Sequence, residues 1–209
     1  MKRFSPVVLA LVALVLVAAC GDDDDDDATA TSSPGGSPTQ GGGTATPGTT
    51  ASPEPTEDGL PPFEDSRTVV ENPAHQPEEV PMLVDVRVGT HDGYDRIAFE
   101  FEGDELPPYE VKYVARPTDC ASGKDVLVGG TAALEVQLSI AQAHDEEGNL
   151  TIPSTDIAAG HPAIVQALST CDFEALVMWV AGTEGDRPFR VFELSGPTRL
   201  VIDVQHPED

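Results

Sequence analysis

From about residue 83 the chain alternates apolar and polar side chains at every second position, over and over. Val84, Val86 and Val88 alternate with Asp85 and Arg87; Ile97, Phe99 and Phe101 with Ala98 and Glu100; Tyr109, Val111 and Tyr113 with Glu110 and Lys112. Further on, Leu134, Val136 and Leu138 alternate with Glu135 and Gln137, and Leu200, Ile202 and Val204 with Val201 and Asp203. Period two puts each set on one face of a half-buried strand. Breakers separate the runs: His91-Asp92-Gly93, Gly103-Asp104, Gly129-Gly130, residues 182–186 and Gly196-Pro197. Residues 189–194 read as a further strand, and residues 173–181, with Trp179, as one strand buried on both faces. Residues 125–128 suggest a short strand, and residues 163–168 a strand or one helical turn. About eight short strands, without amphipathic helices to serve as crossovers, predict an all-β fold: an antiparallel β-sandwich, with a partly open barrel as the near alternative.

The amino-terminal pattern is different. Behind Met1-Lys2-Arg3, residues 7–19 are thirteen apolar residues, followed by Cys20, Gly21 and six aspartates, Asp22 to Asp27. The apolar run has signal-peptide length and is short for about 30 Å of hydrocarbon, and the aspartates cannot continue it into a bilayer. Val17-Ala18-Ala19-Cys20 resembles the lipobox of bacterial lipoproteins. That resemblance implies cleavage before Cys20 and a lipidated cysteine, in the palmitate-bearing manner of such proteins, which two acyl chains make a stable anchor. An ordinary secretory signal with a chance cysteine and an uncleaved anchor are the alternatives. All three export the remainder of the chain.

Between Gly21 and about residue 76 the composition is Gly, Ser, Thr, Pro, Ala and acid, and the segment between Cys20 and Pro81 carries fourteen acids against one base, Arg67. Such a segment has too little apolar surface to offset the entropy of ordering. It reads as a disordered tether, and about sixty residues of coil have a root-mean-square span of roughly 40 Å. The predicted organisation is a signal peptide over 1–19, a lipid-anchored linker over 20–79, a β domain over 80–206 and a short tail over 207–209.

Little in the domain points to catalysis. There is no G-x-S-x-G elbow, and His91, His144 and His161 are scattered without the spacing of a metal or triad motif. His91-Asp92 and His144-Asp145 would form a metal site only if their loops converged, and residues 145–149 depart from a calcium-loop pattern. No catalytic residue, metal or cofactor is expected. A formal charge of −26 disfavours nucleic acid, whose binding needs a lysine and arginine surface. Cys120 and Cys171 remain once Cys20 is assigned to lipid, and in an exported domain they are expected to pair, two separate buried thiols being the alternative. The scarce arginines Arg96, Arg116, Arg187, Arg190 and Arg199 are the candidate binding residues, because a guanidinium makes forked bonds to carboxylates such as those of peptide stems. Arg190 and Arg199 have the alternative role of pairing with acids across strands.

Several segments carry a family resemblance. Residues 86–101 (VRVGTHDGYDRIAFEF), 108–113 (PYEVKY), 143–151 (AHDEEGNLT), 188–192 (PFRVF) and 197–204 (PTRLVIDV) resemble the AMIN-like domain of actinobacterial secreted and lipid-anchored proteins. The resemblance spans about residues 82–205. It implies kinship with the AMIN domain, a β-sandwich module that helps place cell-wall amidases, and so implies envelope binding instead of hydrolysis. The expected function is a noncatalytic, lipid-anchored module on the extracytoplasmic face of the membrane, binding peptidoglycan or a wall-associated component. A protein-partner module on that face is the alternative, followed by a small-molecule binder or hydrolase.

Overall fold

The computed structural model describes residues 59–208. The signal peptide, Cys20, the linker as far as residue 58, and Asp209 lie outside the described residues. Among the described residues there are ten strands: β1 (Val70–Asn72), β2 (Leu83–Thr90), β3 (Tyr94–Phe101), β4 (Tyr109–Val114), β5 (Ala132–Ser139), β6 (Asp156–Ala158), β7 (Ile164–Phe173), β8 (Leu176–Thr183), β9 (Phe189–Leu194) and β10 (Thr198–Gln205). They form a four-stranded sheet in the order β2-β3-β10-β9 and a six-stranded sheet in the order β1-β4-β5-β8-β7-β6, every strand pair being antiparallel. Neither sheet closes on itself, so the fold is the sandwich and not the barrel.

The core lies where the period-two pattern puts it. Ile97, Phe99 and Phe101 of β3 and Leu200, Ile202 and Val204 of β10 face Val136 and Leu138 of β5 and Trp179 of β8 in one buried cluster. Phe99 meets Trp179 edge-on at 6.0 Å between ring centroids, and Tyr113 of the six-stranded sheet meets Phe189 of the four-stranded one in the same way. Each fully buried aliphatic side chain contributes about 1.5–3 kcal/mol relative to exposure, so this interface is the main source of stability.

Three local readings need correction, and one open alternative is decided. Residues 173–181 are not one strand: β7 ends at Phe173, Glu174 and Ala175 take φ of 49° and 58°, and β8 starts at Leu176. That is the left-handed two-residue hairpin turn, made here without the Asn or Gly that normally signals it. Of the two readings of residues 163–168, the strand holds: the ten-residue β7 starts at Ile164. Residues 125–128 form no strand; Asp125 makes only an isolated bridge to Thr118. Finally, residues 59–79 are expected in the tether from composition, yet β1 pairs with β4, and Glu64 exchanges backbone hydrogen bonds of 2.7 and 3.2 Å with Phe189 at the edge of β9.

Two covalent or steric features fix the six-stranded sheet. Cys120 and Cys171 form a disulfide between residues 51 apart, joining the loop after β4 to β7. A Cβ on Gly182 would lie 1.8 Å from the Gly129 carbonyl oxygen, so the loop before β5 rests directly on the β8 backbone there. Replacing both cysteines by serine is expected to lower stability by about 4 kcal/mol on the chain-entropy estimate for such a loop, measured by urea unfolding. Gly182→Ala is expected to destabilise through backbone displacement, and an unchanged unfolding midpoint would remove the close-approach argument.

Candidate functional site

The polar chemistry of this sandwich gathers in three places. The first is the outer face of the four-stranded sheet. Because Leu200, Ile202 and Val204 point into the core, Arg199, Val201 and Asp203 point outward. Asp203 stands opposite Arg96 on β3 and opposite Arg190 on β9, so one carboxylate lies between two guanidiniums in a row across three strands. Arg96 donates through Nε to Oδ1 at 2.6 Å and through Nη2 to Oδ2 at 3.0 Å, and Arg190 donates through Nε to Oδ2 at 2.8 Å. Aromatic rings flank both arginines. The Arg190 guanidinium lies 4.4 Å from the Phe63 centroid and 4.8 Å from that of Tyr94, while that of Arg96 lies 5.3 Å from Tyr94 and 5.1 Å from Phe192. His91 stacks on Tyr94 at 4.9 Å. Asp203 is fully buried, and the two arginines are 6% and 5% exposed.

The second place is the rim between the sheets. Asp95, the second residue of β3, has the parity of the core residues, and its Oδ2 accepts the backbone N–H groups of Ala163 and Ile164, at 2.6 and 2.9 Å, where β7 begins. Its Oδ1 lies 2.8 Å from His206 Nε2. Burial pushes the Asp95 carboxyl upward, but these bonds and one from Thr90 outweigh it and hold the group below the ordinary aspartate value. At another rim Glu193 of β9 gathers His75, Asn72 and Tyr109 around Oε1 at 2.9, 3.1 and 3.1 Å. Burial works against the Glu193 carboxylate, and the three partners still keep it below its usual range. Burial and that nearby charge together push the Tyr109 phenol up to about 12.

The third place is a cleft of about 390 Å³ where residues 66–69 separate from the end of β4. Arg67, Lys112 and Tyr113 line it, with Ala115 and Asp186. Tyr113 accepts the Arg187 backbone N–H through its hydroxyl at 3.0 Å.

The five candidate arginines therefore divide. Arg96 and Arg190 come together at Asp203, and Arg199 lies 8% exposed on the same face, opposite Glu100 and Leu194. Arg116 and Arg187 instead follow directly on cleft residues Ala115 and Asp186. Arg116 is open to solvent, with Asp125 at 3.9 Å, and Arg187 donates from Nε to the Glu184 carbonyl at 3.0 Å. The two histidine-acid pairs do not converge. His144 bonds through Nδ1 to Asp172 at 2.8 Å, near the end of β7, whereas His91 stacks near Asp95, which holds the start of β7. The Asp145 carboxylate accepts from the Asn149 side chain and from the N–H groups of Asn149 and Glu147, which hold it below the ordinary aspartate value as a turn cap. Among the described residues no cluster of three or more His, Cys, Asp or Glu is placed to hold a metal.

Sequence reasoning misses Asp95 and Asp203, since two acids among thirty-seven carry no mark of burial. The available signal is positional: each lies inside a strand pattern with an arginine one residue away or directly opposite.

In this two-sheet sandwich the charged residues brace sheet faces and rims. The family model of the AMIN-like domain matches residues 81–206, and the chain belongs to that family. Its coarse class follows, a noncatalytic module associated with the cell envelope. No curated protein matches the chain.

Two outcomes are expected. Asp203→Ala leaves two buried guanidiniums without their shared carboxylate and is expected to cost about 3–5 kcal/mol in urea unfolding. Asp95, with its folded pKa depressed, contributes stability that is fully present above the unfolded value of about 4 and is lost as pH falls through the lower folded value. Asp95→Asn is thus expected to be less stable at neutral pH and to show a shallower loss on acidification; parallel acid limbs would refute the assignment.

Proposed function

We propose that the protein is fastened to the extracytoplasmic face of the bacterial membrane through lipidated Cys20 and that its AMIN-like domain binds peptidoglycan, or a component associated with it, in the envelope. The observation that carries the reading is the cleft beside β4. In a chain of net charge −26, Arg67 and Lys112 line one opening, each beside an acid of its own, Asp65 and Glu110, and Arg116 and Arg187 follow in sequence on the lining residues Ala115 and Asp186. Carboxylates of peptide stems match forked guanidinium donors. Arg96, Arg190 and Arg199 serve in this reading as the buried frame of the four-stranded sheet. The linker over 20–79, shortened by the part that packs on the sandwich, raises the local concentration of the domain near the wall without adding a contact.

The test is retention of the exported chain by purified wall sacculi, with soluble muropeptides as competitors. Binding is expected to be competed away and to fall about tenfold in Arg116→Ala/Arg187→Ala, close to the loss of one charge-assisted contact. Equal retention of parent and variant counts against this cleft, and absence of retention counts against wall binding. Cys20→Ser is separately expected to move the protein from the membrane fraction to the soluble fraction.

A further inference from the structure

The edge strands of this sandwich are unequal. β1 and β6, at the edges of the six-stranded sheet, have three residues each, and the β9 edge of the four-stranded sheet is engaged by Glu64 at Phe189. β2 is the remaining edge, eight residues long. Only its beginning is covered: Leu83 N–H donates to the Gln142 carbonyl at 2.8 Å, and the Leu83 carbonyl accepts from Thr151 Oγ1 at 2.7 Å. Beyond a bulge between Leu83 and Asp85, no backbone bond from the described residues reaches its outer side.

The direction of the free groups follows from the hairpin. His91 N–H donates to the Tyr94 carbonyl at 2.8 Å, so His91 and Tyr94 are a hydrogen-bonded pair. In antiparallel pairing such pairs alternate, so Gly89 with Arg96 and Arg87 with Ala98 also point their polar groups at each other. Val86, Val88 and Thr90 turn theirs outward. An open row of this kind is a template for another strand, and natural proteins commonly protect it with charge. Here the exposed length is nearly neutral. Val86 to Thr90 contains one charge, Arg87, and that guanidinium lies against Asp85 at 3.2 Å and Glu100 at 2.5 Å on the sheet face.

We propose that β2 pairs with β2 of a second copy of this chain, antiparallel across a two-fold axis at Val88. This register satisfies every outward group. Val88 faces Val88 of the other copy, and Val86 faces Thr90 on each side, giving six backbone hydrogen bonds at three hydrogen-bonded positions. Arg87 then stands opposite Gly89, whose missing side chain leaves it room, and Asp85 stands opposite His91. No two like charges face each other. For a chain of −26, a strand whose one positive charge lies against Asp85 and Glu100 adds little repulsion of its own when an equally acidic copy approaches. The product is one continuous eight-stranded sheet with a sandwich at either end, and the two copies are equivalent, as an isologous contact requires.

The experiment is sedimentation equilibrium of the exported chain carrying Cys20→Ser, so that neither lipid nor a free thiol links copies, over about a hundredfold concentration range. A monomer–dimer equilibrium is expected. Val88→Pro removes an outward N–H and no bond to β3, and is expected to abolish dimer formation with little change in thermal midpoint. Gly89 has ordinary φ, and a Cβ placed on it would meet nothing within 4 Å, so it accepts a side chain. Gly89→Arg, set against Arg87 of the other copy, is expected to weaken the dimer about tenfold, and Gly89→Glu to strengthen it by a similar factor. The Gly89 pair decides the matter if Val88→Pro unfolds. A chain that stays monomeric throughout the range overturns the proposal, and so does a dimer indifferent to the two Gly89 variants.

Discussion

A buried carboxylate must be neutralised where it lies, and Asp203 turns that requirement into architecture. Its two oxygens are shared between Arg96 on one neighbouring strand and Arg190 on the other. A slip of β9 or β3 by one residue would turn the arginine to the opposite face and leave the carboxylate without its counter-charge. The apolar alternation alone specifies which face of each strand is inward. The ionic row adds the axial position of three strands relative to one another, a specification that interchangeable valines and leucines supply only weakly. The rings of Phe63, Tyr94 and Phe192 give the guanidiniums a desolvated surface on which cation–π attraction offsets part of the cost of burial.

The two sheets are joined by a different device at each rim. Asp95 caps the free N–H groups at the start of β7, so the hairpin that begins the four-stranded sheet is hydrogen-bonded to the opposite one. Glu193 draws residues of β1 and β4 towards β9. These contacts are satisfied at both ends, which matters because a half-satisfied buried group costs more than an apolar substitute. They also explain why residues ahead of the matched family segment pack on the domain. Asn72 and His75 supply two of the three partners of Glu193, so β1 closes a side of the sandwich that residues 81–206 leave incomplete.

The fold is legible in the sequence where burial is one-sided. β3, β5 and β10 alternate cleanly, and their inward sets are the inward sets of the structure. Legibility fails where the signal is not periodic. The turn at Glu174 and Ala175 has neither Gly nor Asn, so two strands read as one long apolar run. β1 and β6 are three residues each and exist through pairing with β4 and β7, which no local pattern announces. The scarce arginines are visible in the sequence, but their separation into a buried trio and an outer pair depends on register and loop placement. The disulfide is accessible from compartment and cysteine number, since its partners need no geometric discrimination.

The contact between Glu64 and Phe189 has a mechanical meaning. Phe63 lies against the Arg190 guanidinium and Glu64 pairs with Phe189, so the chain ahead of β1 is held to β9 by one ring and two backbone bonds at a sheet edge. A force applied from the amino-terminal side meets these contacts before it meets any strand of the hydrophobic core.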